Sequence, residues 1–305
     1  MTSSLRILPP VADALEHRRP VVALESSVLA QGLPIPANHD AARRMVGAVE
    51  AAGAFAAITA VVRGLPTAGL EPDELERFLR RDGVGKVSAR DLGLAMARGL
   101  DGATTVAATL AIATLAGIPV FATGGIGGVH REPTFDESAD LVELSRSSVV
   151  VVCAGAKSIL DLRATLERLE TYGVAVVGYG TDELPGFFTA GSGIPLPARV
   201  DSAAEVAAVF RAHRAVGRAS ALVVMQPPPP EHALDAGQVE AAVDAALARA
   251  RAEGVRGAAV TPYLLGAVER ETGGRSLDAN LALLERNARL AGEIAVELRG
   301  LGTRD

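Results

Sequence analysis

Short, continuous apolar runs recur along the chain, separated by segments with helical periodicity, and this alternation constrains the fold more than any other feature. The runs lie at Val21–Leu24, Ala57–Val62, Ile118–Thr123, Val149–Cys153, Val174–Tyr179 and Ala221–Met225. Because apolar and polar residues do not alternate within them, they are typical of strands covered on both faces of a parallel sheet. The sequence therefore predicts a layered α/β/α fold with a mostly parallel central sheet and right-handed crossovers.

Helical patterns fill the intervals between these runs and dominate the C-terminal third. Helices are predicted at Ser158–Glu170, Gly237–Ala252, Pro262–Glu271 and Leu277–Leu298. In the last of these, apolar residues recur on one face of the helix. No internal repeat or long linker divides the chain, so residues 1–305 are predicted to form a single catalytic domain with a helical C-terminal portion.

Composition argues against several classes of protein. The formal net charge is −6 and aromatic residues make up only 3% of the chain, so a basic, base-stacking nucleic-acid groove is not expected. The single cysteine, Cys153, excludes an intramolecular disulfide and favours a reducing, cytoplasmic location. The uncharged stretch 102–129 is long enough to span a bilayer, but Gly117 and Pro119 interrupt it. It is better explained as a buried helix followed by a buried strand, and no membrane association is predicted.

A lysine follows one of the apolar runs, in the segment VVCAGAKSILD. Ligands of parallel α/β sheets bind beyond the carboxyl ends of strands, which is where Lys157 is expected to lie. Ser158 and Asp161 match the Ser-x-x-Asp capping pattern, which places Lys157 at the positive end of the predicted helix. That position disfavours the charged ammonium form and favours the neutral amine of a nucleophile. A surface lysine or a phosphate-binding lysine would fit the same pattern, and the residues alone leave these alternatives open.

A glycine-rich loop follows another run, in the segment ATGGIGGVHR. Glycine pairs expose backbone N–H groups, and together with the donors of His130 and Arg131 they favour the close approach of an anion. A flexible turn is the alternative. Further on, Asp136 and Asp140 are oxygen donors that suit Mg²⁺ or Mn²⁺, although helix capping would also explain them.

Two more strand ends carry charged residues. Glu25 follows the first apolar run directly, and a carboxyl group among apolar residues can have the raised pKa that a general acid needs. An ion pair with an arginine is the alternative role. In the segment KVSARD, Lys86 and Arg90 are interpreted either as a phosphate clamp or as part of a solvated loop.

Eight sequence blocks extend this interpretation because they occur together, in order, from about Ala23 to Leu298. They are ALESSVLAQGLPIPAN, KVSARDL, GATTVAATL, FATGGIGGVHR, TFDESADL, VVCAGAKSILDL, LETYGVAVVGYGTDELPGFF and GGRSLDANLALLERNA. With these blocks the chain resembles the pseudouridine-5′-phosphate glycosidases, a family that also includes an indigoidine-biosynthesis accessory protein. One departure is Gln31-Gly32, where the family usually has His-Gly.

The resemblance implies reversible cleavage of the C–C glycosidic bond of pseudouridine 5′-phosphate to uracil and ribose 5-phosphate, with a small-molecule substrate and a homotrimeric assembly. Lys157 is then the nucleophile that forms a Schiff base, Glu25 the proton donor and Asp136 the ligand of one divalent cation, typically Mn²⁺. The implied substrate contacts are Lys86, Val106, Ser138, Ala139 and Asp140, with Thr123 and His130 near the phosphate and Asn280 near the uracil. The bond that breaks has no leaving oxygen to protonate, unlike the bond of an ordinary glycoside, which makes covalent catalysis by an amine reasonable.

Other functions remain open at this point. One alternative is another Schiff-base lyase or aldolase that acts on sugar phosphates. A second is an indigoidine-linked accessory C-glycosidase of the same fold. A third is a non-catalytic nucleotide-binding regulator, which would need neither Glu25 nor Lys157.

Overall fold

The computed structural model describes residues 4–132, 135–255 and 260–299. Its strands are β1 (Arg6–Ile7), β2 (Val21–Leu24), β3 (Phe55–Val62), β4 (Leu65–Ala68), β5 (Gly85–Val87), β6 (Gly102–Thr104), β7 (Val120–Ala122), β8 (Val129–His130), β9 (Val150–Cys153), β10 (Leu160–Asp161), β11 (Ala175–Tyr179), β12 (Arg199–Val200) and β13 (Leu222–Met225). Its helices are α1 (Pro9–Glu16), α2 (Ala37–Ala51), α3 (Pro72–Arg80), α4 (Leu92–Ala97), α5 (Val106–Ala116), α6 (Ala139–Leu144), α7 (Leu162–Thr171), α8 (Ala203–Ala215), α9 (Ala236–Ala252), α10 (Val260–Glu271) and α11 (Arg275–Glu297). Each of the six predicted apolar runs coincides with or overlaps one of these strands, so that part of the prediction is confirmed.

Within the described part of the chain, one sheet of eleven strands forms the centre of the fold. Its main path runs β1-β4-β3-β2-β7-β9-β13-β11-β12, and β5 and β6 join it beside β3. Most neighbours are parallel; the exceptions are the pairs that β3 makes with β4 and with β6. A separate antiparallel pair is formed by β8 and β10. The predicted mostly parallel sheet is therefore confirmed.

Helices cover both faces of this sheet. On one face α11 packs against β2, β7 and β9 and lies beside α2 and α8. The connections from β2 to β3 and from β7 to β9 step in opposite directions, so right-handed crossovers place α2 and α6 on opposite faces. On the second face α5 packs against the sheet and beside α6. This arrangement confirms the layered α/β/α prediction, and it explains why the four strands β2, β7, β9 and β13 are completely buried.

The strand order reverses between β2 and β7. The chain leaves β2 for β3 on one side, and it leaves β7 for β9 on the other. At such a reversal the loops beyond the carboxyl ends of the two strands diverge and leave a crevice, where open α/β sheets bind their ligands. Glu25 follows β2 directly and Thr123 follows β7, while the loop after β9 carries Lys157.

One predicted helix begins later than its capping pattern indicates. Residues 160–161 form β10 and pair with β8, so the helix predicted from Ser158 begins at Leu162. Its N-cap is Asp161, whose Oδ1 accepts a hydrogen bond of 2.9 Å from the N–H of Ala164. Lys157 is therefore five residues away from the first helical residue. The argument that the helix dipole acts on this lysine is wrong, because the dipole effect is confined to the first turn.

The uncharged stretch divides as predicted. Helix α5 ends where Gly117 takes up a left-handed conformation with φ of 76°, and β7 follows. Across the described residues no helix is both long and apolar enough to cross a membrane. Cys153 is completely buried at the end of β9, where desolvation raises the pKa of its thiol to about 12. The thiol therefore stays protonated and packs as a small apolar group.

Candidate active site

Glu25 lies at the mouth of the sheet and is almost completely buried, with 3% of its surface exposed. The hydroxyl of Ser27 donates a 2.7 Å hydrogen bond to its Oε2, and the hydroxyl of Thr123 donates to its Oε1. Burial raises the pKa of the Glu25 carboxyl, although Lys157 and the two hydroxyl groups oppose the rise. Glu25 therefore keeps its proton to a higher pH than an ordinary glutamic acid, as a general acid requires.

A network of buried hydroxyl groups fixes the chain on both sides of Glu25. Ser26 Oγ donates to the carbonyl of Thr59 at 2.6 Å and accepts from the N–H of Thr104 at 2.9 Å. Thr59 Oγ1 in turn lies 2.8 Å from Thr104 Oγ1 and 2.9 Å from Thr109 Oγ1. The residue after Glu25 is thus tied to β3, β6 and α5, so the carboxyl group is held in place by several elements at once.

Lys157 is positioned by two loops that are joined through their backbones. Ala154 N–H donates to the carbonyl of Gly124 at 2.8 Å, and Ile126 N–H donates to the carbonyl of Gly155 at 3.1 Å. The N–H of Lys157 itself donates to Ile126 at 3.1 Å. The loop after β9 therefore continues the pairing of the sheet, and the Lys157 side chain faces the same cleft as Glu25.

The glycine-rich loop owes its glycines to close packing. A Cβ on Gly125 would lie 2.6 Å from the ring of Phe187, and one on Gly127 would lie 2.2 Å from Ser138 Oγ. The N–H of Gly127 donates to Asp140 Oδ2 at 2.8 Å. Four amide groups of this loop donate to the protein itself, namely those of Ile126, Gly127, Val129 and His130. Among the glycine amides predicted to bind an anion, that of Gly127 is therefore already engaged, and the role of the other glycine amides stays a prediction.

The cleft has two compartments that meet at the charged residues. Glu25, Lys86 and Lys157 border both of them. We call the first the apolar compartment, and its further lining includes Val28, Gln31, Phe187, Pro262, Leu265 and Asn280. We call the second the polar compartment, and its further lining includes Arg90, Val106, His130, Asp136, Ser138, Ala139 and Asp140. A ligand with one apolar end and one anionic end would therefore have its central atoms next to Glu25 and Lys157.

The polar compartment is suited to an anion. Lys86 and Arg90 border it, and Thr105 caps the N-terminus of α5 at its edge. Helix N-termini and cationic side chains both attract phosphate groups. The ammonium group of Lys86 keeps contact with the cleft, yet burial by the surrounding protein lowers its pKa and the nearby Lys157 lowers it further. A bound anion would relieve the repulsion between these two cations.

Asp140 borders the polar compartment and also links two parts of the fold through hydrogen bonds. Its Oδ1 accepts from the N–H of Ala107 at 3.0 Å, and its Oδ2 accepts from the N–H of Gly127. The carboxylate thereby joins the first turn of α5 to the glycine-rich loop. The expected contact of Asp140 with substrate stays a prediction.

Ten of the eleven residues predicted for the site border this cleft, and the exception is Thr123. The side chain of Thr123 is completely buried and its hydroxyl donates to Glu25, so it supports the carboxyl group, and its expected place near the phosphate stays a prediction. The sequence interpretation also missed cleft residues. Ser27 stands two positions from Glu25 in the sequence, which is a usable signal, whereas Thr261 comes from the start of α10 and no local pattern indicates it.

The sequence carries one further signal for the site. The chain has 30 basic residues, and only Lys86 and Lys157 among them are lysines. Both border the cleft. Arginine supplies the side-chain positive charge everywhere else, apart from histidine, so both lysine amines of the chain are found at this cleft.

Comparison with known proteins shows the family of the chain. The family model for indigoidine synthase A-like proteins matches residues 10–297. The chain belongs to this family. A protein of Gemmatimonas aurantiaca named pseudouridine-5′-phosphate glycosidase is 64% identical, over 97% of this chain and 98% of its own. A protein of the same name from Herpetosiphon aurantiacus is 55% identical, over 97% of this chain and 98% of its own.

Solved structures of the family have the same fold. The prealnumycin C-glycosynthase AlnA, solved in complex with ribulose 5-phosphate, is 43% identical and superposes with a TM-score of 0.89, covering 96% of each chain. An indigoidine synthase A-like protein of Thermotoga maritima is 36% identical with the same TM-score of 0.89, covering 98% of each chain. The family resemblance expected from the sequence is therefore confirmed.

Proposed function

We propose that this protein is a pseudouridine-5′-phosphate glycosidase that reversibly converts pseudouridine 5′-phosphate and water to uracil and ribose 5-phosphate. The observation that carries the proposal is the placement of Glu25 and Lys157 at the junction of the apolar and the polar compartment. A pyrimidine suits the first compartment and a phosphate the second, which leaves the bond between base and sugar at the junction. The names of the full-length relatives support the same activity.

The first step is attack of the neutral Lys157 amine on C1′ of the ribose. A bond forms between Nζ and C1′ while the bond from C1′ to the ring oxygen breaks, and Glu25 gives its proton to that oxygen. The attacking nitrogen loses one proton to water. Burial of Glu25 keeps the acid protonated for this step. The product is an opened ribose that carries both the lysine and the base on C1′.

The second step breaks the carbon–carbon bond. The nitrogen lone pair forms a C=N bond to C1′, and the electron pair of the broken bond goes to C5 of uracil, which takes up a proton. Water then hydrolyses the imine, regenerating the lysine amine and releasing ribose 5-phosphate. Lysine is suited to this chemistry because its nitrogen can form and lose the imine under mild conditions.

The test is a product assay in both directions. Pseudouridine 5′-phosphate should give uracil and ribose 5-phosphate, and uracil with ribose 5-phosphate should give pseudouridine 5′-phosphate. An aldolase-like enzyme or an accessory C-glycosidase with another substrate would not make this nucleotide. Failure in both directions, with folded protein, would exclude the proposed activity.

We also propose a divalent cation, Mn²⁺, at Asp136. Across residues 4–132, 135–255 and 260–299, no three His, Cys, Asp or Glu side chains are grouped in a way that could hold a metal ion. The single carboxylate of Asp136 in the polar compartment fits a cation that takes its other oxygen ligands from water and phosphate. When bound, such an ion neutralises part of the phosphate charge.

Removal of the cation should abolish most of the activity. We expect exhaustive chelation to inactivate the enzyme, Mn²⁺ to restore it, and Asp136→Asn to raise the concentration of Mn²⁺ needed for half-maximal activity. The measurement is turnover against free Mn²⁺. The control is Glu132→Gln, an exposed acid of the same loop that pairs with Arg251, which should keep the response of the wild type. Full activity at a metal content confirmed as negligible would refute the metal requirement.

The family resemblance also implies a homotrimer with a small-molecule substrate, and we propose that state here. Sedimentation equilibrium distinguishes it from a monomer of 31.3 kDa by mass. A single species at the monomer mass would contradict it.

A further inference from the structure

The carboxamide side chains of this protein fall into two groups. The sequence holds six, all within the described residues. In four of them the amide oxygen accepts a hydrogen bond from the protein: Asn38 from His39 N–H at 3.0 Å, Gln226 from Arg286 at 3.1 Å, Gln238 from Arg275 at 2.8 Å and Asn287 from Gln226 at 2.9 Å. In the other two, Gln31 and Asn280, the oxygen is buried and accepts no hydrogen bond from the described part of the chain.

Both unpaired amides border the apolar compartment. A buried polar atom without a hydrogen-bond partner destabilises the folded protein. Asn287, seven residues from Asn280 on the same helix, shows that a buried amide of α11 can be satisfied entirely by the protein. The two exceptions therefore point to a ligand that supplies the missing hydrogen bonds in this compartment.

Gln31 is held at this position by an unusual backbone. Residues Val28–Gly32, directly after Glu25 and its two serines, form a π-helical turn, a conformation that is frequent at functional sites. The wide turn brings Gln31 into the same compartment as Asn280, which comes from the opposite end of the sequence. Apart from the charged residues at the junction, the named lining is neutral, including Phe187, Pro262 and Leu265.

Resting on the proposed function, we propose that Gln31 determines specificity for the base, and that the amides of Gln31 and Asn280 each bind one N–H/C=O pair of uracil. Uracil carries two N–H and two C=O groups in alternation around its ring. A carboxamide offers one acceptor and one donor and so matches one such pair. A base linked through C5 keeps both N–H groups, whereas a base linked through N1 has lost one. Two amides therefore favour a C-linked over an N-linked nucleotide.

The test uses uracil, 1-methyluracil and 3-methyluracil as probes in the synthetic direction with ribose 5-phosphate, and calorimetric titration of the same three compounds. For the wild type we expect each methyl group to raise the KM for the base about tenfold or more, because it removes one hydrogen bond and leaves a buried group unpaired. In Gln31→Leu the KM for uracil should rise by a similar factor, with the KM for ribose 5-phosphate unchanged.

The decisive result is which of the two methyl groups no longer raises the KM for the base; we call that rise the penalty of the methyl group. Gln31→Leu should lose the penalty of one methyl group and keep the other, and Asn280→Leu should show the reverse pattern. Gln31→Glu keeps acceptors but loses the donor, so it should weaken uracil binding even if the leucine variant does not fold. Gln238→Leu, far from the cleft, is the control and should behave as wild type.

The outcomes separate this inference from the proposed function. If the wild type makes pseudouridine 5′-phosphate but Gln31→Leu keeps the KM for uracil or both methyl penalties, the role of Gln31 is refuted and the function stands. If the wild type neither makes the nucleotide nor binds uracil in the titration, both are refuted. A loss of one penalty in each variant supports the pairing of two amides with one base.

Discussion

Lys157→Ala should reduce turnover by about a thousandfold or more while the protein stays folded, because the variant lacks the amine that attacks C1′ in the proposed mechanism. Lys157→Arg should fail as badly, since a guanidinium group keeps its proton at neutral pH and does not attack carbon. Borohydride added in the presence of ribose 5-phosphate should reduce the imine and fix a sugar on Lys157. Mass spectrometry of the digested protein locates the adduct.

The modified lysine can be identified without ambiguity because the chain has only two lysines. Lys86 borders the same cleft and is the internal control, because it is the other lysine amine and its pKa is lowered by desolvation and by the nearby Lys157. A sugar on Lys86 in place of Lys157 would reverse the assignment of the two residues. A protein that turns over but traps no adduct on either lysine would exclude the Schiff base and leave the glycosidase activity to another mechanism.

Glu25→Gln should lower turnover by about a hundredfold or more, because a glutamine cannot give a proton to the ribose ring oxygen. The same change should stabilise the protein at neutral pH. Since burial raises the pKa of Glu25 in the folded state, folding is most favourable when the carboxyl group is protonated. That stability is fully present below the pKa of the unfolded chain and is lost as the pH rises through the folded pKa. Each unit of pKa difference corresponds to about 1.4 kcal/mol.

The measurement is the free energy of unfolding of both proteins from pH 4 to pH 8. The stability of Glu25→Gln relative to wild type should increase with pH over this range and then level off. Glu143→Gln is the matched control, because Glu143 is also buried but pairs with Arg146 outside the cleft. It should keep turnover and gain no stability. A Glu25→Gln protein that is less stable than wild type at every pH would contradict burial as the dominant influence on this carboxyl group.

Much of the fold was accessible from the sequence because strands buried on both faces leave continuous apolar runs. Strands β5 and β6 could not be predicted in this way. Each has only three residues, and β5 contains Gly85 and Lys86, so neither forms a continuous apolar run. The pattern from Ser158 to Asp161 misled for a related reason. Its residue types match a capping box. However, residues 160–161 pair with β8, and this pairing decides where the helix begins. Strand β8 lies about thirty residues earlier in the chain, so the local pattern cannot reveal it.

The site likewise has some features that the sequence predicts and others that it does not. Residues at strand ends, such as Glu25 and Lys157, follow from the rule that parallel strands present their carboxyl ends at one edge. The hydrogen bond of Thr123 to Glu25 does not follow from it, because that bond depends on which strands become neighbours across the reversal in strand order. The role inferred for Gln31 likewise needed the structure, since only the structure shows that its amide oxygen is buried without a hydrogen-bond partner in the described part of the chain.

The two hydroxyl groups that bind Glu25 have a consequence for the direction of the reaction. A hydroxyl can turn about its C–O bond and change from donor to acceptor without displacing any heavy atom. Ser27 and Thr123 can therefore hydrogen-bond to both the carboxylate and the carboxylic acid from the positions they hold. In the proposed reaction, one arrangement then accommodates Glu25 before and after it gives up its proton, so cleavage and synthesis can share a single geometry.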